Sequence, residues 1–309
     1  MKAGNSASVL ARLLALARER GDDYSLMLNR FGLERLLHRL SVSGYSNSFL
    51  LKGALLFSLW YDQPHRPTRD ADLLAFGPSD PDQLVRTFRE IAAIPLDDGI
   101  SFDADSVRAE PIRDENFYGG TRIRLVGHVA SARCALQIDV GFGDAVTPEA
   151  QRVAFPALLA GFELPMLRVY PVYSVIAEKY HAMVILGLAN SRMKDFYDLG
   201  TIAARTELDG RMLANAIAAT FQRRVTPLPA EPPVALTKEF GASGAKQRQW
   251  QAFLHKNRLA AGELSETNGL LYTLLWPATQ IATSGSTATA LWSPVSGSWV
   301  AFHPINDHH

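Results

Sequence analysis

The sequence predicts an α+β fold in which a mixed β-sheet with packed helices is followed by a helical lobe. Three strand-like segments rich in apolar residues occur in the first half of the chain, at 106–112, 120–130 and 134–142. After Pro171, apolar residues recur at helical spacing and strand signals almost disappear. These patterns predict a sheet-containing lobe at 1–170, a helical lobe at 171–282 and a loosely held tail rich in Ser, Thr and Gly at 283–309.

The first half of the chain is expected to alternate helices with strands. Two amphipathic helices are predicted at 8–20 and 24–40. The apolar stretch 49–61 runs into a Pro-rich turn, and we interpret it as a buried helix followed by a loop. A short buried strand is expected at 70–76, and a helix with one apolar face at 80–94.

The second half of the chain is expected to be almost entirely helical. Five helices are predicted from the spacing of apolar residues, at 174–188, 192–205, 208–223, 246–258 and 266–281. Four prolines lie between residues 227 and 233, so this segment is predicted to be a stiff connector.

The composition excludes several classes of protein. Of the 309 residues, 47% are hydrophobic and 20% charged, which is typical of one or two globular domains and excludes global disorder. Lys plus Arg and Asp plus Glu both number 31, so a nucleic-acid site would have to be a local patch. A single cysteine, Cys134, leaves no disulfide partner within the chain. The apolar runs are too short to span a bilayer, so we expect a cytoplasmic protein without membrane contact.

The motif Asp70-Ala71-Asp72 lies in the predicted strand at 70–76. Residues i and i+2 of a strand point to the same face, so the two carboxylates should converge. Neighbouring carboxylates repel unless a cation lies between them, and Mg²⁺ is normally held by one or two carboxylates together with substrate phosphates. The motif therefore predicts a magnesium site, with an exposed or turn-capping acid pair as the alternative.

A third acid, Asp139, lies within an apolar strand, where a buried carboxylate needs a partner. If this strand lies beside that of Asp70 and Asp72, the three acids form one cluster able to hold two metal ions. The alternative is a structural salt bridge, in which Asp139 pairs with Arg122, Arg124 or Arg133.

Four stretches of the chain together carry a family resemblance: Phe49–Ala54, Arg66–Leu73, Glu178-Lys179 and Arg192–Leu199. A Lys-Gly pair before a helix, an Arg-x-Thr-x-Asp-x-Asp-Leu strand and a late Arg-x-Lys-Asp-x-x-Asp-Leu helix resemble the nucleotidyltransferase superfamily. The combination is most similar to the AbiEii-type toxin family, which includes the MenT tRNA-modifying toxins. The resemblance spans residues 25–205 and departs from the family pattern at Ala54, where many relatives have glycine or serine.

In the first lobe the resemblance implies catalytic and metal-binding roles for Asp70 and Asp72, and Asp139 is the candidate third metal ligand from its place in an apolar strand. It implies nucleotide contacts for four further residues, Lys52, Gly53, Arg66 and Thr68. Gly53 at a turn or helix start would let backbone amides approach phosphate, and Lys52 would add charge nearby. The alternatives are a Lys52 side chain that extends along the fold toward solvent and ordinary loop contacts at Arg66 and Thr68.

In the helical lobe the resemblance implies that Lys179 reaches the nucleotide phosphates, and that Arg192 and Lys194 bind the nucleotide from the helical side. It also implies catalytic roles for Lys179, Asp195 and Asp198, with one of the two acids orienting the incoming hydroxyl. Arginine suits the neutralisation of a phosphate as charge builds on the leaving group. From spacing alone, Lys194 and Asp198 can pair across one helical turn, and Arg192 can be a solvated helix end.

The expected activity is transfer of a nucleoside monophosphate from an NTP to a hydroxyl, with Mg²⁺ as cofactor, two metal ions in the site and pyrophosphate as product. The resemblance implies the 3′ end of tRNA as acceptor, and a toxin that arrests growth and has a cognate antitoxin encoded nearby. Two alternatives are an enzyme of the same fold that modifies a small molecule, as aminoglycoside nucleotidyltransferases do, and an inactive module that binds a nucleotide or partner. The zero net charge favours the first alternative, and the intact Asp70/Asp72 pair argues against the second.

Overall fold

A computed structural model describes residues 5–61, 65–77, 79–112, 119–286 and 290–301. The described residues form an α+β fold, which confirms the predicted fold class. The chain divides into two compact units. Unit 1 contains Met1–Asp144 and Ala150–Tyr170, and unit 2 contains Ala145–Glu149 and Pro171–His309.

Unit 1 combines a seven-stranded sheet with helices. Its helices are α1 (Ser6–Arg20), α2 (Tyr24–Val42), α3 (Phe57–Trp60) and α4 (Pro81–Ala93), and a 3₁₀ helix spans Gly53–Leu56. Its strands are β1 (Phe49–Lys52), β2 (Asp70–Ala75), β3 (Ser101–Ile112), β4 (Gly120–Val129), β5 (Ala132–Phe142), β6 (Gln151–Ala154) and β7 (Met166–Val169). The first two helices begin at side-chain caps, since Asn5 and Asp23 accept hydrogen bonds from backbone amides of the first turn.

The sheet of unit 1 has the strand order β3-β4-β5-β2-β1-β7-β6. Strand β2 is central, because it pairs in parallel with β5 and antiparallel with β1. In this register Asp72 lies opposite Asp139 on one side and opposite Lys52 on the other. Three charged residues are thus aligned across three neighbouring strands.

The two faces of this sheet differ in polarity. On one face Ala71, Leu73, Ile138 and other apolar residues are almost completely buried. Helix α2 packs against this face, so closely at Gly32 that an added Cβ would lie 2.9 Å from the Leu136 side chain. The acids of β2 and β5 alternate with these residues and therefore lie on the opposite face.

The expectation of a buried helix at 49–61 is wrong. The segment begins as strand β1 and continues through the 3₁₀ helix at Gly53–Leu56 into the single turn of α3. A short apolar run cannot be assigned to strand or helix from periodicity alone, and here strand pairing on both sides of β1 decides. Strands β6 and β7, four residues each, were not predicted.

Unit 2 is mainly helical, with a small three-stranded sheet of order β10-β9-β8. Its helices are α5 (Val172–Leu186), α6 (Met193–Arg205), α7 (Gly210–Arg223), α8 (Lys238–Ala242), α9 (Gly244–Asn257) and α10 (Leu264–Ser284). Two 3₁₀ helices span Gly187–Ala189 and Val234–Leu236. Its strands are β8 (Leu208–Asp209), β9 (Ala290–Ser293) and β10 (Ser298–Ala301).

The segment expected to be a loosely held tail contains an ordered hairpin, so that expectation is wrong for residues 290–301. Strands β9 and β10 pair antiparallel, and β9 also pairs with β8. Trp292 is fully buried and its indole N–H donates to the carbonyl of Ala203, at 2.7 Å. The rest of the predicted tail at 287–289 and 302–309 lies outside the described residues.

One segment of the described chain, Val172–Ala189, is long and apolar enough to cross a membrane by length and composition. Within the fold, 44% of that window is buried. Core helices of globular proteins pass the same test, and Tyr180 and Met183 of α5 are fully buried.

We expect the single thiol to be unreactive in the folded protein. Cys134 is buried on β5, and burial raises the pKa of its thiol to about 11. The thiolate is the reactive form, so at about pH 8 the native protein should react with Ellman's reagent at least about a hundredfold more slowly than the unfolded chain. Stopped-flow absorbance with and without guanidinium chloride measures both rates, and similar rates would show that β5 opens readily.

Candidate active site

The carboxylates of Asp70 and Asp72 occupy the first and third positions of β2 and lie on the same face of the sheet. Both residues are half-buried. Thr68, just before the strand, donates a hydrogen bond from its hydroxyl to the Asp70 carboxylate. Arg66 lies half-buried in the same preceding segment. Arg66 and Thr68, both predicted to bind nucleotide, therefore lie immediately before the strand that carries Asp70 and Asp72.

Gly53 leaves room for the carboxylate of Asp72. It has a φ of +69°, a conformation that side-chain-bearing residues rarely adopt. A Cβ at this position would lie 1.8 Å from Oδ2 of Asp72, well inside van der Waals contact. The backbone at the start of the 3₁₀ helix and the Asp72 carboxylate are thus in direct contact, and only glycine permits it.

Lys52 is held in an ion pair that the sequence analysis did not foresee. Its ammonium lies 2.5 Å from the carboxylate of Asp144 and 4.8 Å from the ring centroid of Tyr170. Both partners of the ion pair are largely buried, at 14% and 12% side-chain exposure. The lysine is therefore a fixed charge next to Gly53, and the alternative of a side chain that extends toward solvent is not the one that forms.

Asp139 forms a bidentate salt bridge with Arg122. Nε and Nη2 of the arginine donate to the two carboxylate oxygens at 2.9 and 2.8 Å. Strand β5 does lie beside β2, as the three-acid hypothesis requires. However, both oxygens of Asp139 are engaged by the guanidinium, so the salt-bridge alternative is the one that forms. Arg122 in turn gains a raised pKa from the hydrogen bonds of Asp139.

The donor set that remains for a metal ion is the pair Asp70 and Asp72. Within the described ranges, three or more His, Cys, Asp or Glu side chains are nowhere grouped so as to hold a metal. The predicted three-acid cluster is therefore not formed. Two carboxylates on one strand face still match the chemistry of magnesium, which prefers hard oxygen ligands and completes its shell with water and substrate phosphates.

In unit 2, Lys179 of α5 bridges two buried aspartates of α6. Its ammonium donates to Asp195 at 2.7 Å and to Asp198 at 2.8 Å. Each aspartate side chain is only 1% exposed. Arg192, one third exposed, donates from Nε to the second oxygen of Asp195 at 2.6 Å. Two cations and two anions thus form a cluster, defined here as the Lys179 cluster, whose formal charges cancel.

Lys194 does not belong to the Lys179 cluster. It lies on the exposed side of α6, whereas Asp198, its possible partner one turn away, is buried and bound to Lys179. Two hydrogen bonds fix the turn before α6. The buried Lys246 donates to the carbonyl of Asn190, and the Asn190 side chain accepts from the Arg192 amide. Arg192 is therefore a fixed helix-start residue, not a solvated helix end.

Acid should weaken unit 2 through Asp195. Burial alone would raise the pKa of Asp195, but the charges of Lys179 and Arg192 outweigh it and hold the pKa below the ordinary value of 3.8. A carboxylate with a depressed pKa contributes stability above the unfolded pKa and loses it as the pH falls toward the folded pKa. Below pH 3.8 the free energy of unfolding should fall more steeply in the wild type than in Asp195→Asn. Urea titrations followed by tryptophan fluorescence test this, and equal slopes would contradict it.

The comparison with known families decides which family the chain represents. The family model described as the nucleotidyl transferase AbiEii toxin of type IV toxin–antitoxin systems matches residues 35–266, well over half of the chain. The chain belongs to the AbiEii family. The matched region contains every residue that the sequence analysis assigned to the site, and the AbiEii resemblance stated from the motifs is thus confirmed.

Two solved structures from Helicobacter pylori resemble this AbiEii chain in fold. JHP933 is 16% identical, with a TM-score of 0.46 over 84% of this chain and 94% of that one. A second protein, assigned as a nucleotidyltransferase, is also 16% identical, with a TM-score of 0.44 over 84% of this chain and 97% of that one. A search of curated proteins finds no match. Membership of the family implies an NTP substrate and a cognate antitoxin.

Proposed function

We propose that this AbiEii protein transfers a nucleoside monophosphate from an NTP to a hydroxyl acceptor and releases pyrophosphate. The observation that carries the proposal is the contact between Gly53 and Asp72. It places a backbone turn without a side chain against one carboxylate of an Asp-x-Asp strand. Phosphoryl-type transfer depends mainly on positioning and charge neutralisation, and this arrangement offers both.

Asp70 and Asp72 would hold the magnesium ion. When bound, magnesium neutralises the triphosphate and stabilises the leaving pyrophosphate. The hydroxyl of Thr68 orients Asp70 through its hydrogen bond, and Gly53 keeps the space beside Asp72 open. Lys52, fixed by Asp144, supplies positive charge beside that turn, and Arg66 adds a cation before the strand. Asp139 forms a salt bridge with Arg122, and we do not propose it as a metal ligand.

In unit 2 we propose that Lys179, Arg192 and Lys194 contribute charge to the binding of the nucleotide phosphates. Asp195 and Asp198 fix the ammonium of Lys179, and Asp195 also fixes Arg192. Exposed Lys194 adds a further positive charge at this helix start. Orientation of the acceptor hydroxyl by Asp195 or Asp198 is the role that the family resemblance supports.

We propose the 3′ end of tRNA as the acceptor, with growth arrest in the cytoplasm as the outcome and a cognate antitoxin as the regulator. Membership of the type IV toxin–antitoxin family supports the antitoxin. The second candidate is modification of a small-molecule hydroxyl. It is favoured by the zero net charge, since tRNA binding gains from basic surface.

The proposed function is tested by incubating the purified protein with magnesium, each α-labelled NTP in turn and total tRNA. We expect label on tRNA with the wild type, no label with Asp70→Asn, and unchanged label with Asp105→Asn, an exposed aspartate on β3. Label that persists in Asp70→Asn would refute the assigned acids. Absence of labelled RNA, with pyrophosphate released only when small-molecule hydroxyls are added, would replace the first candidate with the second. No pyrophosphate under any of these conditions would overturn the enzymatic proposal.

A further inference from the structure

Unit 1 contains a cavity that the proposed active site does not use. Its volume is about 220 Å³, and it lies where α2 meets the Gly53–Leu56 helix, α3 and the segment 155–158. Two arginines, two hydroxyl-bearing residues and several apolar residues line it, including Arg20, Arg30, Ser58, Tyr61, Leu33 and Leu55. The volume equals that of roughly seven molecules of liquid water, enough for a substituted benzene ring.

The cavity lies on the side of the sheet that α2 covers, opposite the carboxylates of Asp70 and Asp72. Helix α2, which supplies Arg30 and Leu33, packs on the apolar face through the contact of Gly32 with Leu136. The carboxylates of Asp70 and Asp72 lie on the other face. A ligand in the cavity is therefore not the nucleotide of the proposed reaction, and this inference does not rest on the proposed function.

The wall of the cavity carries excess positive charge. Its one lining acid, Glu34, is already engaged, because it accepts from Arg35 and from the amide of Leu158, both at 2.6 Å. Arg35 is buried with it and balances its charge. Arg20 and Arg30 remain, and the charges of Asp22 and Glu34 oppose that of Arg30 only in part. Burial and the nearby charge of Arg20 lower the pKa of Arg30, as expected for a guanidinium that has lost part of its hydration.

We propose that this cavity binds a small organic anion, a phosphate or carboxylate attached to a compact apolar group. The anionic group would lie at Arg20 and Arg30, where guanidinium groups provide paired donors for phosphate or carboxylate oxygens. Ser58 offers a hydroxyl donor, and Leu33 and Leu55 receive the apolar group.

The cavity is next to the short helix that begins at Gly53. Leu55 lines the cavity and belongs to the same four-residue 3₁₀ helix that begins at Gly53. Ser58 follows in the next turn, in α3. A ligand that contacts Leu55 and Ser58 would therefore contact the element whose first residue lies against Asp72.

Binding is tested by fluorine NMR on the full chain with four probes. Para-fluorophenyl phosphate and para-fluorobenzoate carry both features and separate the two anion types. Para-fluorobenzyl alcohol lacks the charge, and inorganic phosphate, added as a competitor, lacks the apolar group. The variants are Arg30→Gln, which removes one charge, Ser58→Phe, which fills the cavity, and Arg18→Gln, an exposed arginine of α1, as control.

We expect at least one of the two anionic probes to bind the wild type and Arg18→Gln equally, with affinity about tenfold or more weaker in Arg30→Gln, as loss of a charge-assisted contact predicts. Ser58→Phe should abolish binding while leaving the thermal midpoint within a few degrees. Neither benzyl alcohol nor inorganic phosphate should compete at equal concentration. Equal binding of the neutral probe, insensitivity to both cavity variants, or no binding of either anionic probe would overturn the proposal.

Discussion

Replacement of Lys179 by methionine is expected to lower the free energy of unfolding of unit 2 by about 3–5 kcal/mol. The ammonium is shared by two aspartates whose side chains are each 1% exposed. Methionine keeps most of the aliphatic volume but removes the ammonium that donates to both buried carboxylates. The cost of a buried charge without its counter-ion is much larger than the net value of the pair, and this asymmetry gives the size of the effect.

The matched control is Lys194→Met, which removes an exposed lysine of α6 and should change stability by less than about 0.5 kcal/mol. Restoring charge balance should restore stability, so the double variant Lys179→Met, Asp198→Asn, which keeps the Arg192–Asp195 pair, should recover most of the loss. Urea unfolding followed by tryptophan fluorescence gives each value. A loss below about 1 kcal/mol in Lys179→Met would mean that water reaches the Lys179 cluster.

Gly53→Ala is expected to lower the rate of nucleotidyl transfer about a hundredfold or more and to destabilise unit 1 by about 1–2 kcal/mol from the positive φ alone. The added methyl group would lie 1.8 Å from Oδ2 of Asp72, so the carboxylate must move. Displacement of a positioned catalytic group by as little as about 1 Å can cost roughly a hundredfold in rate. Transfer should therefore fall to the level of Asp72→Asn while the protein remains folded.

Gly21→Ala separates the cost of the positive φ from the displacement of the Asp72 carboxylate. Gly21 has nearly the same φ, +66°, but an added Cβ there would meet nothing within 4 Å. It should show the backbone cost without loss of transfer. Thermal unfolding by circular dichroism and the labelled-NTP assay measure both quantities for both variants. Full activity in Gly53→Ala would show that the Asp72 carboxylate has room to move without consequence, contrary to its assigned role.

The motifs of the site could be found from the sequence, whereas their contacts depended on strand order. The spacing of Asp70 and Asp72 placed both acids on one strand face, as the structure confirms. The sequence alone allows Asp139 either a metal or an arginine as its partner. The β4–β5 hairpin turns at Ala130-Ser131, and this turn sets Arg122 opposite Asp139. Ala-Ser lacks the glycine or asparagine that usually marks a two-residue hairpin turn, so the pairing could not be predicted from the sequence.

Other features depend on contacts distant in sequence. Lys52 pairs with Asp144, ninety-two residues later, and no local pattern announces that pair. Strand β1 looks like part of an apolar helix until its neighbours β2 and β7 are known. The hairpin at 290–301 is short and lies in a polar segment, so its stability comes from burial of Trp292 under the helices of unit 2.

Residues 145–149 belong to unit 2, although the residues on either side of them belong to unit 1. This restricts where the polypeptide can be divided. The amide of Thr147 donates to the hydroxyl of Ser174, which donates in return to the carbonyl of Thr147, at 2.8 and 2.9 Å. Unit 2 is therefore discontinuous along the chain. A fragment that begins at Pro171 lacks one of its own pieces, and a fragment that ends at Tyr170 carries that piece without Ser174. Expression of single units or of split halves that divides the chain between Tyr170 and Pro171 therefore separates residues 145–149 from the rest of unit 2.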